Sequence, residues 1–196
     1  MSNHLTNRWG WTLIEAVLAA AMLLVVLGGI LAFLSLQTDF WELATTQTDS
    51  RSEVERTMGV MVNELRLARR VTAGIPPNIT IPAAPGNTMI TFFVPTDTDA
   101  PPANGVLDAN GDVQWNTDAA HAIQFTHDAP SQQLRRIQGG VTRVLATQVT
   151  SATFSDQAID GTLASNEVRI AVTTQYTTAR QRPVAMSATT VVRLRN

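Results

Sequence analysis

Residues 16–34 read AVLAAAMLLVVLGGILAFL, nineteen consecutive positions without a charge or a strongly polar side chain. An α-helix rises 1.5 Å per residue, so this run covers roughly 28 Å, about the thickness of the hydrocarbon layer of a membrane. A buried core helix is the alternative, but a helix that is apolar on every face needs apolar surroundings on every face. The segment therefore predicts a membrane-spanning helix.

The apolar run passes without a helix breaker into a segment with helical periodicity. Its apolar and small residues recur at spacings of three and four, and charged residues lie between them. The members of this stripe are Phe33, Leu36, Phe40, Leu43, Ser50, Val54, Met58, Met61, Leu65 and Ala68. The pattern predicts an amphipathic helix. All nine prolines lie at or after Pro76, so we expect the helix to end near residue 70.

Beyond Pro76 the sequence has short runs that are typical of β-strands. Residues 168–173 and 186–194 alternate between apolar and polar positions, as expected for a sheet with one covered face. Residues 89–94 form an apolar run that ends at Pro95. Weaker strand candidates are residues 123–126, 133–138, 142–149 and 152–155. The fold class is therefore α+β, with the apolar stripe of the helix packed on an antiparallel β-sheet.

The composition excludes several functional classes. Fourteen basic residues, all of them Arg, and sixteen acidic residues give a net charge of −2, so no basic excess exists to neutralise nucleic acid. The absence of Cys excludes disulfides, thiolate nucleophiles and iron–sulfur clusters. His4, His121 and His127 are too scattered for a metal site, and the sequence lacks a Gly-x-Ser-x-Gly motif and a glycine-rich phosphate loop. We expect no enzymatic activity.

Glu15 lies at the start of the apolar segment. An ionised carboxylate at that depth of a membrane costs several kcal/mol unless it is paired. One explanation is that the side chain reaches the lipid headgroups from near the helix end. The other is a cationic partner. If the chain were cut after Gly10, the new α-amine of Trp11 on a neighbouring copy or a sister subunit would supply such a cation.

Residues 8–15, RWGWTLIE, resemble the processing site of type IV prepilins and type II secretion pseudopilins. In that family a basic leader ends in Gly, and an aromatic residue, Thr-Leu-Ile-Glu and a long apolar helix follow. The resemblance implies cleavage between Gly10 and Trp11 by a prepilin peptidase of the inner membrane, with N-methylation of Trp11. It also implies that Glu15 pairs with the terminal amine of a neighbouring subunit. Trp11 departs from the usual Phe but keeps the aromatic character.

The resemblance further implies a pilin-like fold and a division of the chain. Residues 1–10 would be the leader peptide, 11–36 the transmembrane and assembly helix, 37–70 its amphipathic continuation and 71–196 a β-rich periplasmic domain. Arg8 is the one charged residue among the first ten, which favours a cytoplasmic N-terminus. We expect the protein to span the bacterial inner membrane once, with its C-terminal domain in the periplasm or outside the cell.

Residues 53–69 look like the helix end of minor pseudopilins of the J type and minor pilins of the W type. The resemblance therefore implies a structural subunit of a priming or tip complex, in type II secretion or in pilus biogenesis. Its expected partners are prepilin peptidase, other pilin or pseudopilin subunits and the inner membrane, with no nucleic acid. The alternative is a membrane-anchored periplasmic binding module that uses the helix only as a tether.

An Asp-rich segment is the one candidate for a cofactor site. Its oxygen-bearing side chains are Asp97, Asp99, Asp108, Asn110 and Asp112. Carboxylates and amides around a Gly turn are ligands that Ca²⁺ prefers, although the spacing is not that of an EF-hand loop. An ordinary solvated loop explains the same residues, because Asp, Asn, Gly and Pro are turn formers.

Adding Ca²⁺ to the domain beyond Thr38 tests whether the Asp-rich segment is a calcium site or an ordinary solvated loop. A ligand that binds only the folded state stabilises it, so calcium binding is expected to raise the melting temperature. The same titration with Mg²⁺ is the control. An unchanged melting temperature at about millimolar Ca²⁺, where extracellular calcium modules are saturated, would exclude the site.

Overall fold

A computed structural model of the chain describes residues 12–68, 79–83, 85–96, 106–107, 113–116 and 118–194. Within them lie one long helix, α1 (Leu13–Leu67), and a short 3-10 helix (Ala119–His121). The strands are β1 (Ile79–Thr80), β2 (Met89–Phe92), β3 (Ile123–Asp128), β4 (Gln133–Gln138), β5 (Val141–Ala146), β6 (Val149–Ser155), β7 (Glu167–Thr177) and β8 (Pro183–Arg193). The α+β class with a long N-terminal apolar helix is confirmed.

The chain forms two compact units, Met1–Ala44 and Thr45–Asn196, and the division falls within α1. In the first unit, the large apolar side chains from Leu13 to Leu36 are all exposed, by 45–85%. By length and composition α1 is able to cross a membrane. A helix of this kind is compatible with a membrane anchor, as the apolar run predicted.

The second unit contains two antiparallel sheets, although a single sheet was expected. One has the strand order β1-β2-β3-β4-β5 and the other the order β6-β7-β8. The outer side of β6 bonds to loops of the first sheet, where the amide of Val149 donates to the carbonyl of Gln132 at 2.8 Å. The amide of Phe154 donates to the carbonyl of Asn87, also at 2.8 Å. These bonds join the two sheets into one unit.

The apolar stripe of α1 packs on the sheets from Ser50 onward. Its buried residues are Ser50, Val54, Thr57, Met58, Met61 and Leu65, followed by Ala68. They share one core with the inward-facing side chains of the strands, which include the ring pair of Phe92 and Phe125 with centroids 5.4 Å apart. The predicted packing of the amphipathic helix is confirmed for this part of the stripe.

Glu53 on α1 binds the strand region of the second unit through hydrogen bonds to its carboxylate. Its Oε1 accepts a hydrogen bond of 2.8 Å from the amide of Thr147, and its Oε2 accepts one from the hydroxyl of Tyr176. Burial and the Glu53 carboxylate together raise the pKa of Tyr176 to about 12, because both disfavour the phenolate. The hydroxyl therefore keeps its proton and remains the donor throughout the neutral range.

Two further polar contacts fix the position of α1 along the sheets. Nε of Arg136 on β4 donates to both carboxylate oxygens of Glu64, at 2.9 and 2.8 Å. At the other end, the hydroxyls of Ser50 and Thr174 are 3.1 Å apart and fully buried. Because these contacts lie fourteen positions apart, the part of α1 between Ser50 and Glu64 lies along the sheets rather than standing on them.

The strand predictions need correction in three places. Residues 142–149 are not one strand: β5 ends at Ala146 and β6 begins at Val149. Gln148 reverses the chain with a φ of +55°. No Gly or Pro marks this turn in the sequence, and a non-glycine residue with positive φ is uncommon. In addition, β2 ends at Phe92 rather than residue 94, and β1 was not predicted.

Two leucines near the end of α1 test the packing of the helix. Leu65 is fully buried, whereas Leu67 is 53% exposed. Leu65→Ala leaves a cavity in the core and is expected to destabilise the second unit by about 2–5 kcal/mol. Leu67→Ala is the matched control and is expected to change its stability by no more than about 0.5 kcal/mol. Equal losses in thermal unfolding, followed by circular dichroism of the strands, would contradict the observed packing.

Candidate functional site

Glu15 closes the N-terminus of α1 through a pair of reciprocal hydrogen bonds with Thr12. The amide of Thr12 donates to Oε2 of Glu15 at 3.0 Å, and its hydroxyl donates to the same oxygen at 3.2 Å. In return, the amide of Glu15 lies 3.3 Å from Oγ1 of Thr12. This geometry is a capping box, with Thr12 as the N-cap and Glu15 as the third helical residue.

The capping box gives the carboxylate a role within its own chain. The first amides of a helix have no partner in the helix, and the positive end of the helix dipole lies there. An acid at this position satisfies an amide and is stabilised by the dipole. The Thr-x-x-Glu spacing of residues 12–15 is a sequence signature of this arrangement, but the two explanations considered for Glu15 from the sequence did not include it.

The two hydrogen bonds that Thr12 donates use only one oxygen of the carboxylate. Both hydrogen bonds from Thr12 end on Oε2. Oε1 accepts neither of them, and a carboxylate oxygen has room for more than one donor. The Thr12 contacts therefore orient the side chain through Oε2 alone.

A second feature of the first unit is an apolar concavity on one side of α1. Its lining residues are Phe33, Leu36, Gln37, Phe40, Trp41 and Ala44, and its volume is about 410 Å³. These residues follow the helical spacing of three and four, so they lie on one face. The four large apolar side chains among them are 56–65% exposed. A surface of this size and polarity fits the apolar face of another helix or the acyl chains of lipid.

The predicted stripe thus has two environments. Phe33, Leu36 and Phe40 are exposed and Leu43 is half-buried, whereas all stripe residues from Ser50 to Ala68 are buried. Both halves have the same periodicity of apolar residues in the sequence. Only the second half has strands of its own unit to pack against.

Several predicted site residues lie outside the described part of the chain. These are the cleavage-site residues Gly10 and Trp11, together with the calcium candidates Asp97, Asp99, Asp108, Asn110 and Asp112. Among the described residues, no group of three or more His, Asp or Glu side chains is placed to hold a metal ion. His127 has a structural contact instead, since its Nε2 lies 2.8 Å from the carbonyl oxygen of Val149.

Comparisons of this chain with models of protein families, with curated proteins and with solved structures gave no match. The functional interpretation therefore rests on residues 8–15, on the capping box and on the contrast between the two parts of α1.

Proposed function

We propose that this chain is a structural subunit of a type IV pilus-like filament. The specific role that its N-terminal motif favours is that of a minor pseudopilin or minor pilin in a priming or tip complex, in type II secretion or in pilus biogenesis. The observation that carries the proposal is one helix with two environments: its first part exposes apolar side chains on every face, and its second part packs on antiparallel sheets. A pilin-like fold has this arrangement.

In this proposal the first part of α1 resides in the inner membrane until assembly. Lipid covers the side chains from Leu13 to Leu36, all of which are exposed in the isolated chain. Lipid tails are as apolar as Leu, so moving the helix from lipid into a bundle of helices gains little from the hydrophobic effect. Close packing and polar pairing must then supply most of the association free energy.

Glu15 is the polar group that this bundle would use. Processing between Gly10 and Trp11 would expose an α-amine at Trp11, and N-methylation leaves that amine able to carry a proton. The amine of a neighbouring subunit would donate to the Oε1 that the Thr12 contacts leave available. A charge-assisted hydrogen bond in apolar surroundings is strong and directional, so it would set the register between adjacent helices.

The concavity from Phe33 to Ala44 would be the second contact between helices. Its apolar side chains lie on one face and remain exposed in the single chain. A sister subunit that placed a helix there would exclude water or lipid from these rings. The β-rich domain, on the periplasmic or outer side, would then select which sister subunit binds. No catalytic step is part of this function.

A tether is the second candidate, and one observation favours it. The capping box explains a carboxylate at residue 15 without any neighbouring molecule. In that case α1 would only anchor a periplasmic binding module. The two functions differ in whether the charge of Glu15 matters, or only its ability to accept a hydrogen bond.

Glu15→Gln separates these two functions. Gln also completes a capping box, so the substitution keeps the acceptor for Thr12 and removes the charge. We expect Glu15→Gln and Glu15→Ala both to lower incorporation into sheared filaments at least about tenfold, since a hydrogen bond to a charged group contributes about 1.5–3 kcal/mol. Membrane levels of each variant serve as the control. Normal incorporation of Glu15→Gln would reject the pairing, whereas a wild-type chain that is absent from the sheared filaments would favour the tether.

Processing is tested independently by Gly10→Val, which is expected to block cleavage of the leader. Mass spectrometry of the wild-type protein should show a chain that begins at an N-methylated Trp11, and the variant should retain Met1. Gly28→Val is the matched control, because a Cβ at Gly28 meets nothing within 4 Å. A wild-type protein that keeps its first ten residues would overturn the proposed family.

A further inference from the structure

Among the described strands, none covers the outer edge of β8 in the second sheet. In the order β6-β7-β8, β8 is an outermost strand, and the opposite side of the sheet is joined to the first sheet through Val149 and Phe154. β8 pairs with β7 over all eleven residues, from Glu167↔Arg193 to Thr177↔Pro183, without a shift in register. No other described strand pairs with it. Its edge is therefore long and regular.

The antiparallel pairing of β8 with β7 determines which backbone amides and carbonyls face the outer edge. The amide of Leu194 donates to Asn166 and the carbonyl of Arg182 accepts from Thr178, so the even-numbered residues bond toward β7. The odd-numbered residues then point their amides and carbonyls outward. Five of these have an amide to donate: Ala185, Ser187, Thr189, Val191 and Arg193. Together they form a row of donors and acceptors spaced for another strand.

Features that commonly protect an edge are missing from the centre of β8. Residues 184–192, VAMSATTVV, contain no charge, no Pro and no Gly, and the strand has no bulge. The edge strand β5 differs, because the hydroxyl of Thr57 donates to the carbonyl of Leu145 at 3.1 Å and covers that position. At β8, Pro183 and Arg193 lie only at the two ends.

The core-facing side chains of β8 give a second indication that this edge is incomplete. Met186 and Ala188 face the core but are only partly buried. Their partners on β7, Thr174 and Val172, are 0% and 1% exposed. At the ends of β8, Val184 and Val192 are 6% and 1% exposed, so the core opens to solvent only at the centre of this strand. A further strand with apolar residues at alternate positions would cover Met186 and Ala188.

We propose that the outer edge of β8 binds an extended segment of another protein, which adds to the second sheet as a fourth strand. The main-chain groups of the odd-numbered residues bind the segment, and its alternate apolar side chains cover Met186 and Ala188. The segment is uncharged at its centre, because it lies beside the uncharged residues 184–192. This inference goes beyond the proposed filament function and concerns a different surface, but the choice of a different chain as the partner rests on the membrane anchor of that proposed function.

A second copy of this chain does not fit the same edge when both copies are anchored in one membrane. If β8 of one copy paired antiparallel with β8 of a second copy, a two-fold axis perpendicular to the sheet would relate the two copies. The helix from Thr45 to Leu67 lies along the sheets, so that axis reverses its direction. The two helices would then enter their sheet units from opposite sides. The partner is therefore a different chain.

A peptide with the sequence of residues 167–177, EVRIAVTTQYT, is the probe for this edge. It has apolar residues at alternate positions, and β7 already pairs antiparallel with β8. Added at about 1 mM to the full chain in detergent micelles, it is expected to slow amide hydrogen exchange at Ser187, Thr189 and Val191. A peptide of the same composition without the alternation is the control for binding to the micelle or to the apolar helix.

Substitutions at Thr189 identify the contact. Thr189→Pro removes an outward amide and keeps the bonds to β7, so it is expected to weaken peptide binding by about tenfold, whereas Thr189→Ala stays within about twofold. If thermal unfolding shows that the Pro variant is not folded, Ala188→Lys takes its place with Thr189→Lys as control. Ala188→Lys puts a charge on the core face of the edge, and Thr189→Lys puts it on the solvent face.

Three outcomes would overturn the proposal. The first is the absence of protection at the three amides with the peptide present. The second is peptide binding by Thr189→Pro, or by Ala188→Lys, as tight as that of the wild type. The third is a concentration-dependent dimer of the full chain that Thr189→Pro abolishes, which would make a second copy the occupant of the edge. None of these results bears on cleavage at Gly10 or on the charge of Glu15, so the two proposals fail separately.

Discussion

A helix that is apolar on all sides cannot shield itself from water, and residues 16–34 of α1 form such a helix. This constraint explains the features on either side of it. At the N-terminal end, where the first amides have no helical partner, the Thr12–Glu15 capping box satisfies the backbone before the chain becomes wholly apolar. At the other end the helix acquires a charged face, and from Ser50 onward it covers its remaining apolar stripe with strands.

Elements with a strong local pattern were predictable from the sequence. The uncharged run of residues 16–34, the stripe from Ser50 to Ala68 and the alternation in β7 each carry their periodicity within a short window. Burial in β7 follows the alternation closely, since Val168, Ile170 and Val172 are all buried. The Thr-x-x-Glu capping box belongs to the same category, and its signal was present at residues 12–15. The calcium candidates and the cleavage site lie outside the described residues and stay predictions.

The remaining features depend on contacts that no local pattern contains. Glu53 and Tyr176 are 123 positions apart, and Glu64 and Arg136 are 72 apart. In the sequence these acids look like the ordinary solvated face of an amphipathic helix. The turn at Gln148 was missed for another reason, because it uses a left-handed conformation without the Gly or Asn that normally marks one. That turn ends β5 and starts β6, and these two strands lie in different sheets.

The side-on placement of α1 along the sheets has a mechanical consequence. Tension applied along the helix axis at Thr45 would act on the contacts of Ser50, Glu53 and Glu64 in shear, so that all of them carry load together. Contacts loaded in parallel resist rupture better than contacts that peel apart one after another. Under a pulling force, this part of the chain is built to transmit the load into its sheets rather than to detach from them.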